Sequence, residues 1–248
     1  MGNMDSKIEI KTDFDFRSDT LGYPKTDPDV RSPTLRRYHR YLWSKPLPSG
    51  LMFALDDTTQ HYLHHRSEAL GEFFLASDAV IPTFRKERSL THVIDAIPDG
   101  EREDFLRLGY TIGGMMVFPG QREGRKMTIN GARGFHPRIK DRFDLTIECI
   151  RRHYRNEWSP LGATLGRYAS FFALFRDFRG YVEFFLLQDL VAEDCSAVKV
   201  FPPFKGFSAS PLPASLDEYL SYREHAMNFI RARNIRIRLF VDTAPKAG

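Results

Sequence analysis

The chain is poor in cysteine. Of its 248 residues only Cys149 and Cys195 carry a thiol, and neither belongs to a C-x-x-C pair. That excludes a disulfide framework and a zinc ribbon, and it points to a reducing, cytoplasmic setting. No stretch approaches about 18 uninterrupted apolar residues, so no membrane span is expected. The N-terminus lacks the apolar core of a secretion signal. Common chemical signatures are missing as well: there is no Walker loop, no G-x-G-x-x-G, no H-E-x-x-H and no G-x-S-x-G. Nucleotide-driven, zinc-protease and esterase chemistry therefore lack their usual support. Neither a metal nor a cofactor is expected.

What is present is an ordinary globular composition, 42% hydrophobic and 27% charged. This length can bury a large core without staples. Residues 1–35 mix Asp, Pro, Gly and Ser and read as a loosely structured arm. Residues 36–248 read as a single mixed α/β domain. The 21 Phe and 10 Tyr belong first to its core.

Short apolar runs bounded by turn residues predict strands at 51–55, 62–66, 71–84 and 111–120. "KMTING" (126–131) is expected to pair with the last of these as a hairpin. "TLRRYHRYLW" predicts a helix with Leu35, Tyr38 and Leu42 as its apolar stripe. Ile139, Phe143, Ile147, Ile150 and Tyr154 recur at helical spacing, with Pro137 suited to the first turn. A second helix is expected over 161–175. "YVEFFLLQDLV" stays open between a buried strand and a helix, its length and Phe content favouring the strand, and "AVKVF" (197–201) reads as a strand. A Ser215/Glu218 capping box predicts a last helix from 216 to about 233. The expected fold class is α/β (mixed α+β): a strand-rich first half with a central sheet, packed by helices mainly from the second half.

Net charge is +4, unevenly spread. Residues 122–179 hold 13 Lys/Arg against 6 Asp/Glu. A localised, arginine-rich region is the footprint of a polyanion binder, with a soluble basic surface as the plain alternative. The densest stretch is "MTINGARGFHPRIKDRFD". Arg133 and Arg138 are placed there to hold a phosphate, with Asn130 beside them. Asp141, Asp144 and His136 are candidate acid–base groups, since loops feeding a helix start are where anions bind and catalytic groups sit. Helix capping and local ion pairs would explain the same residues without function. Asp78, at the end of an apolar run, is a further catalytic candidate or a turn residue. Gln188 is a candidate substrate contact. Arg36, Arg37, Tyr38 and Trp43 are a candidate nucleic-acid surface with stacking rings, joined by Arg179. His61, His64 and His65 are close in sequence, but adjacent strand residues point to opposite faces, which argues against a shared metal.

The segments "ARGFHPRIKDRFDLTIECIRRHY", "DFRGYVEFFLLQDLV" and "SPTLRRYHRYLWSKPLPSG" together resemble a bacterial family known only as a domain of unknown function. The resemblance covers nearly the whole chain. It implies one intact bacterial domain and a link to phage defence or DNA repair. It carries no active site over.

The expected function is a metal-independent DNA glycosylase. Such an enzyme needs a basic surface, a pocket for a flipped base, modified or not, and a carboxylate to support hydrolysis of the N-glycosidic bond. Nucleic acid is the expected partner, DNA ahead of RNA, with no membrane partner; the sequence does not give the oligomeric state. Two alternatives stay open. One is a non-catalytic nucleic-acid-binding module. The other is an enzyme on a small phosphorylated metabolite, with Arg133 and Arg138 as an anion clamp.

Overall fold

The computed structural model describes residues 9–57, 62–81, 84 and 87–243. The fold is mixed α+β, with its strands in the first half and most of its helix later. Two helices open it: α1 (Pro28–Arg31), capped by the Asp27 side chain, and α2 (Pro33–Trp43), capped by Ser32 Oγ on the Leu35 amide. Both start with proline at a position whose missing N–H costs nothing. The predicted stripe of α2 holds: Leu35, Tyr38 and Leu42 are all buried. Strands β1 (Lys45–Pro46) and β2 (Met52–Phe53) form a short antiparallel pair. Strands β3 (Asp56–Asp57), β4 (Leu63–Ser67), β5 (Gly71–Ala79) and β6 (Met115–Pro119) form a four-stranded antiparallel sheet in that order. Between β5 and β6 lie α3 (Thr91–Asp95) and α4 (Asp99–Gly109).

The remainder is helical: α5 (Ile129–Phe135), α6 (Phe143–Tyr154), α7 (Gly162–Gly166), α8 (Ala169–Ala173), α9 (Phe178–Phe184) and α10 (Leu216–Thr243). Several expectations are corrected here. "KMTING" is not a strand; β6 pairs with β5 instead, and Thr128 caps α5 by accepting from the Gly131 amide. "YVEFFLLQDLV" begins as α9, because Asp177 caps the Gly180 amide at 2.8 Å and both sides of the segment are buried, which hides its period. "AVKVF" makes only one bridge, Val191 to Val198. The 161–175 helix is two short ones. The segment expected as an arm is mostly turns, yet it is anchored: Phe16 is fully buried, packs edge-on to Tyr38, and the Lys11 amide donates to the Tyr38 hydroxyl. His61 lies outside the described residues.

Alternation along β5 puts Phe73, Leu75 and Ser77 on one face and Phe74, Ala76 and Asp78 on the other. The first face carries an aromatic core that includes Trp43, Phe53, Phe171, Phe175 and Phe185. Strand β6 ends the sheet, and its free edge would leave backbone groups unpaired. α10 meets that edge. Arg233 Nη1 donates to the Gly113 and Met115 carbonyls at 3.1 and 2.7 Å. Asn234 Oδ1 accepts from the Gly113 amide at 2.7 Å. Gly113 is required for this approach, since a Cβ there would lie 2.6 Å from the Ile230 carbonyl oxygen. Burial without a carboxylate in contact pulls the Arg233 pKa down to about 9.

α10 runs ten residues beyond the expected end. Its start is as expected: the Glu218 amide donates to Ser215 Oγ at 3.2 Å, and Glu218 Oε2 accepts from the Ala214 amide at 2.6 Å. Ser215→Ala is expected to cost about 1 kcal/mol and to lower the melting temperature by roughly 2–4 °C; a thermal melt with no change would mean that the cap adds nothing to the helix.

Candidate active site

The sequence stretch that looked densest divides into two buried arginine centres. The first is built on β5 and α5. Residues three apart on α5 share a face, so Asn130 and Arg133 both reach β5. Asn130 Nδ2 donates to the Ser77 carbonyl at 3.1 Å. Arg133 Nη1 contacts Asp78 Oδ2 at 2.5 Å and Asp141 Oδ1 at 3.0 Å. Its Nη2 donates to the Asp141 carbonyl at 2.6 Å and its Nε to Thr146 Oγ1 at 3.2 Å. The guanidinium is wholly enclosed. Asp141 reaches it because the chain turns sharply before α6: Lys140 and Asp141 both have positive φ, 50° and 63°. This left-handed turn is why the helix starts at Phe143 and not at Pro137.

Two carboxylates thus share one guanidinium nitrogen, and their oxygens lie no further apart than the sum of the two contacts, 5.5 Å. Asp29 of α1 joins them electrostatically. Three carboxyl groups around one arginine cannot all ionise cheaply. Burial, with Asp141 adding to it, pushes the Asp78 carboxyl up to about 6 against the opposing pull of Arg133. Asp29 is raised well above the usual range, first by burial and then by Asp27 and Asp78. Its Oδ1 is buried without a partner, as is Asn130 Oδ1. Asp78 and Asp141 keep side-chain exposures of 21% and 40%, so both can be met from solvent. Sequence reading missed Asp29, because "DPDV" reads only as a turn.

The second centre is structural. Arg142 and Asp144 are both fully enclosed and paired at 2.5 Å. Arg142 also donates to the carbonyls of Phe201, Pro203 and Pro211, and Asp144 Oδ2 accepts from the Phe201 amide at 2.8 Å. The pair fastens the proline-rich loop to the start of α6. Asp144 is therefore withdrawn as a catalytic candidate, since nothing from outside can touch it.

The other candidates scatter. Arg133 cannot hold a phosphate, because its donors are spent inside. His136 is half-buried, accepts the Arg138 amide on Nδ1 at 3.1 Å, and has its pKa lowered by burial and by Arg138; no hydrogen bond links it to the carboxylates. Arg138 is exposed, with its guanidinium 6.0 Å from the Trp158 ring centroid. Gln188 sits in a turn against α10, where neighbouring Asp189 pairs with Arg236 at 2.8 Å. Arg179 is exposed beside Glu193 and Asp194. The expected stacking surface on α2 does not exist: Tyr38 and Trp43 are core residues, Arg36 pairs with Asp57 at 2.8 Å, and Arg37 lies over the Tyr38 ring.

Ser77 and His39, 3.0 Å apart, have the look of a nucleophile and its base. Tautomer chemistry rules this out. Trp43 Nε1 donates to His39 Nδ1 at 3.0 Å, so the neutral ring carries its proton on Nε2, facing Ser77, and cannot accept one from it. Burial and the nearby Arg233 and Arg36 lower the His39 pKa to about 3, which keeps the ring neutral. His64 pairs with Glu72, while His65 is held between the Ala54 carbonyl and Ser67. Among the described residues no three His, Cys, Asp or Glu side chains group as metal ligands do, and no helix is long and apolar enough to cross a membrane.

A family profile matches residues 10–237. The chain belongs to the family of unknown function DUF6994. Its matched span begins inside the turn-rich N-terminal segment and ends within α10, so both Arg133 and Arg142 centres are parts of the DUF6994 domain. Neither curated proteins nor solved structures gave a match.

Proposed function

We propose that this DUF6994 chain is an acid–base hydrolase of N-glycosidic bonds in nucleic acid, acting on DNA ahead of RNA. One observation carries the reading: Asp78 and Asp141 meet on a single enclosed guanidinium, with Asp78 held protonated up to about pH 6. Two carboxyl groups with different environments are the usual way to place an acid beside a base. Asp78 donates its proton to the departing base as the C1′–N bond breaks. Asp141, the more exposed of the two, faces the cationic sugar until a water oxygen bonds to C1′ and passes its proton to the Asp78 carboxylate, which restores the acid. Their close spacing resembles carboxylate pairs that act directly on the sugar, at about 5–5.5 Å, more than pairs spread to hold a water between them.

Of the 13 Lys/Arg in 122–179, eight are ion-paired, while Arg122, Arg125, Arg138, Arg176 and Arg179 have no ion pair among the described residues. Those five give a smaller positive surface than the composition suggests, but one of the right sign for phosphates. The test is release of free base from DNA carrying normal or modified bases, read by chromatography and by alkaline cleavage at abasic sites. Release that vanishes in Asp78→Asn and Asp141→Asn supports the reading. No release from any such DNA sinks it.

A second reading is favoured by the full internal commitment of Arg133: a nucleic-acid-binding module in which the Asp78–Arg133–Asp141 cluster only braces α5 against β5. It predicts salt-sensitive binding without turnover. The phosphorylated-metabolite reading loses its support, because an enclosed Arg133 does not form a clamp with Arg138.

A further inference from the structure

The chain has two tryptophans. Trp43 is wholly buried, whereas Trp158 is 64% exposed. A large ring left in water is informative when it is held in place rather than hanging free. Trp158 is held. Its edge meets Phe207 at 6.4 Å between centroids, nearly perpendicular. Phe207 packs in turn on Phe204 at 5.3 Å and lies under the Arg152 guanidinium at 4.9 Å. Arg152 Nη1 also donates to the Trp158 carbonyl at 3.2 Å. Arg138 stands near the indole at 6.0 Å and has no carboxylate partner among the described residues. In the segment just before it, Arg151, Arg152 and Arg155 outnumber Glu148 and Glu157.

From this arrangement we propose that Trp158 and Arg138 form a binding surface for single-stranded nucleic acid, with an unpaired base stacked on the indole and a phosphate on the guanidinium. The proposal deepens the nucleic-acid reading above and rests on it for the choice of ligand. A fixed aromatic beside unpaired arginine is how proteins hold single strands, because every base has a π-face. A base inside a duplex has no free face, so the surface selects unpaired strands. Its position fits the carboxylates. Arg138 and Asp141 lie on one turn, and three residues span at most about 11 Å.

The test uses the full chain and a fluorescein-labelled oligothymidylate of about 12 nucleotides. Binding is read by anisotropy, and by quenching of Trp158 emission in the unlabelled pair; Trp43 is shielded and reports little. The expected result is quenching by the single strand, weaker binding of the matching duplex, and an affinity about tenfold lower in Trp158→Ala, within the range of one lost stacking contact. Trp158→Phe restores part of it. Arg138→Ala lowers the slope of log affinity against log salt by about one. Equal affinity in Trp158→Ala, or heparin quenching Trp158 as strongly as the oligonucleotide does, overturns the surface. Binding and quenching without any base release leave the surface standing and remove the hydrolase. Base release at unchanged kcat/KM in Trp158→Ala does the reverse.

Discussion

Asp144→Ala is expected to cost about 3–5 kcal/mol of folding stability, the range for removing one partner of an enclosed ion pair. The cost arises from what remains. Arg142 stays inside with its charge facing carbonyl oxygens and the Tyr222 ring and no carboxylate, and the Phe201 amide loses its acceptor at 2.8 Å. Arg142 has no water to turn to, since neither side chain of the pair has any exposure. In a chain of this size the melting temperature would fall by roughly 6–20 °C. Replacing both residues by apolar ones of similar volume recovers much of the loss, because the pair's own net contribution is small once its desolvation is counted. Urea unfolding of the two single variants and the double variant measures each contribution. A single-variant loss below about 1 kcal/mol would mean that the pair is not enclosed as described. Assayed where it is still folded, Asp144→Ala should keep its turnover, which separates this aspartate from Asp78 and Asp141.

Asp144 and Asp141 show what a sequence can and cannot reveal. Both lie close to the start of α6 at Phe143, one on either side of it, and both are near neighbours of Arg142 in the chain. Their difference comes from partners far away in the chain. Asp144 is enclosed by a loop 57 residues later, and Arg133 meets Asp78 across 55 residues. No local pattern encodes such distances. The amphipathic stripe of α2 was legible for the opposite reason, since Leu35, Tyr38 and Leu42 repeat within one element. That same stripe argues against Tyr38 and Trp43 as a stacking surface: residues that define a helix's apolar face are spent on the core. Sequence reading missed Trp158, although the converse logic offered a signal: it is flanked by Glu157, Ser159 and Pro160 with no stripe to join. α9 resists sequence reading because an amphipathic period disappears when a helix is buried on both sides, and Asp177 looks like a turn residue when it is a cap.

Asp78→Asn is expected to lower base release by about 10²–10⁴-fold, the range for loss of a positioned general acid, and to change its pH dependence. In the native chain the acid must be protonated to work. Its carboxyl lies at about 6, so the rate should fall about tenfold for each pH step of one above that value, and the asparagine variant should lose this limb. Stability moves with the same proton. The folded carboxyl is raised above its ordinary value of 3.8, so its contribution is fully present below about pH 4 and is lost as pH rises through about 6. A rise of that size corresponds to about 3 kcal/mol. Chemical denaturation at pH 4 and pH 7 should show this loss in the native chain and a flatter dependence in Asp78→Asn. Asp141→Asn removes a neighbouring negative charge, so it should move the remaining limb of the rate profile to lower pH. A merely bracing role for Asp78 would change stability and leave the shape of the profile alone. An Asp78→Asn enzyme that keeps both its rate and the limb near pH 6 would take the acid role away from Asp78 and leave Asp29, with its buried and unpartnered oxygen, as the carboxyl to test.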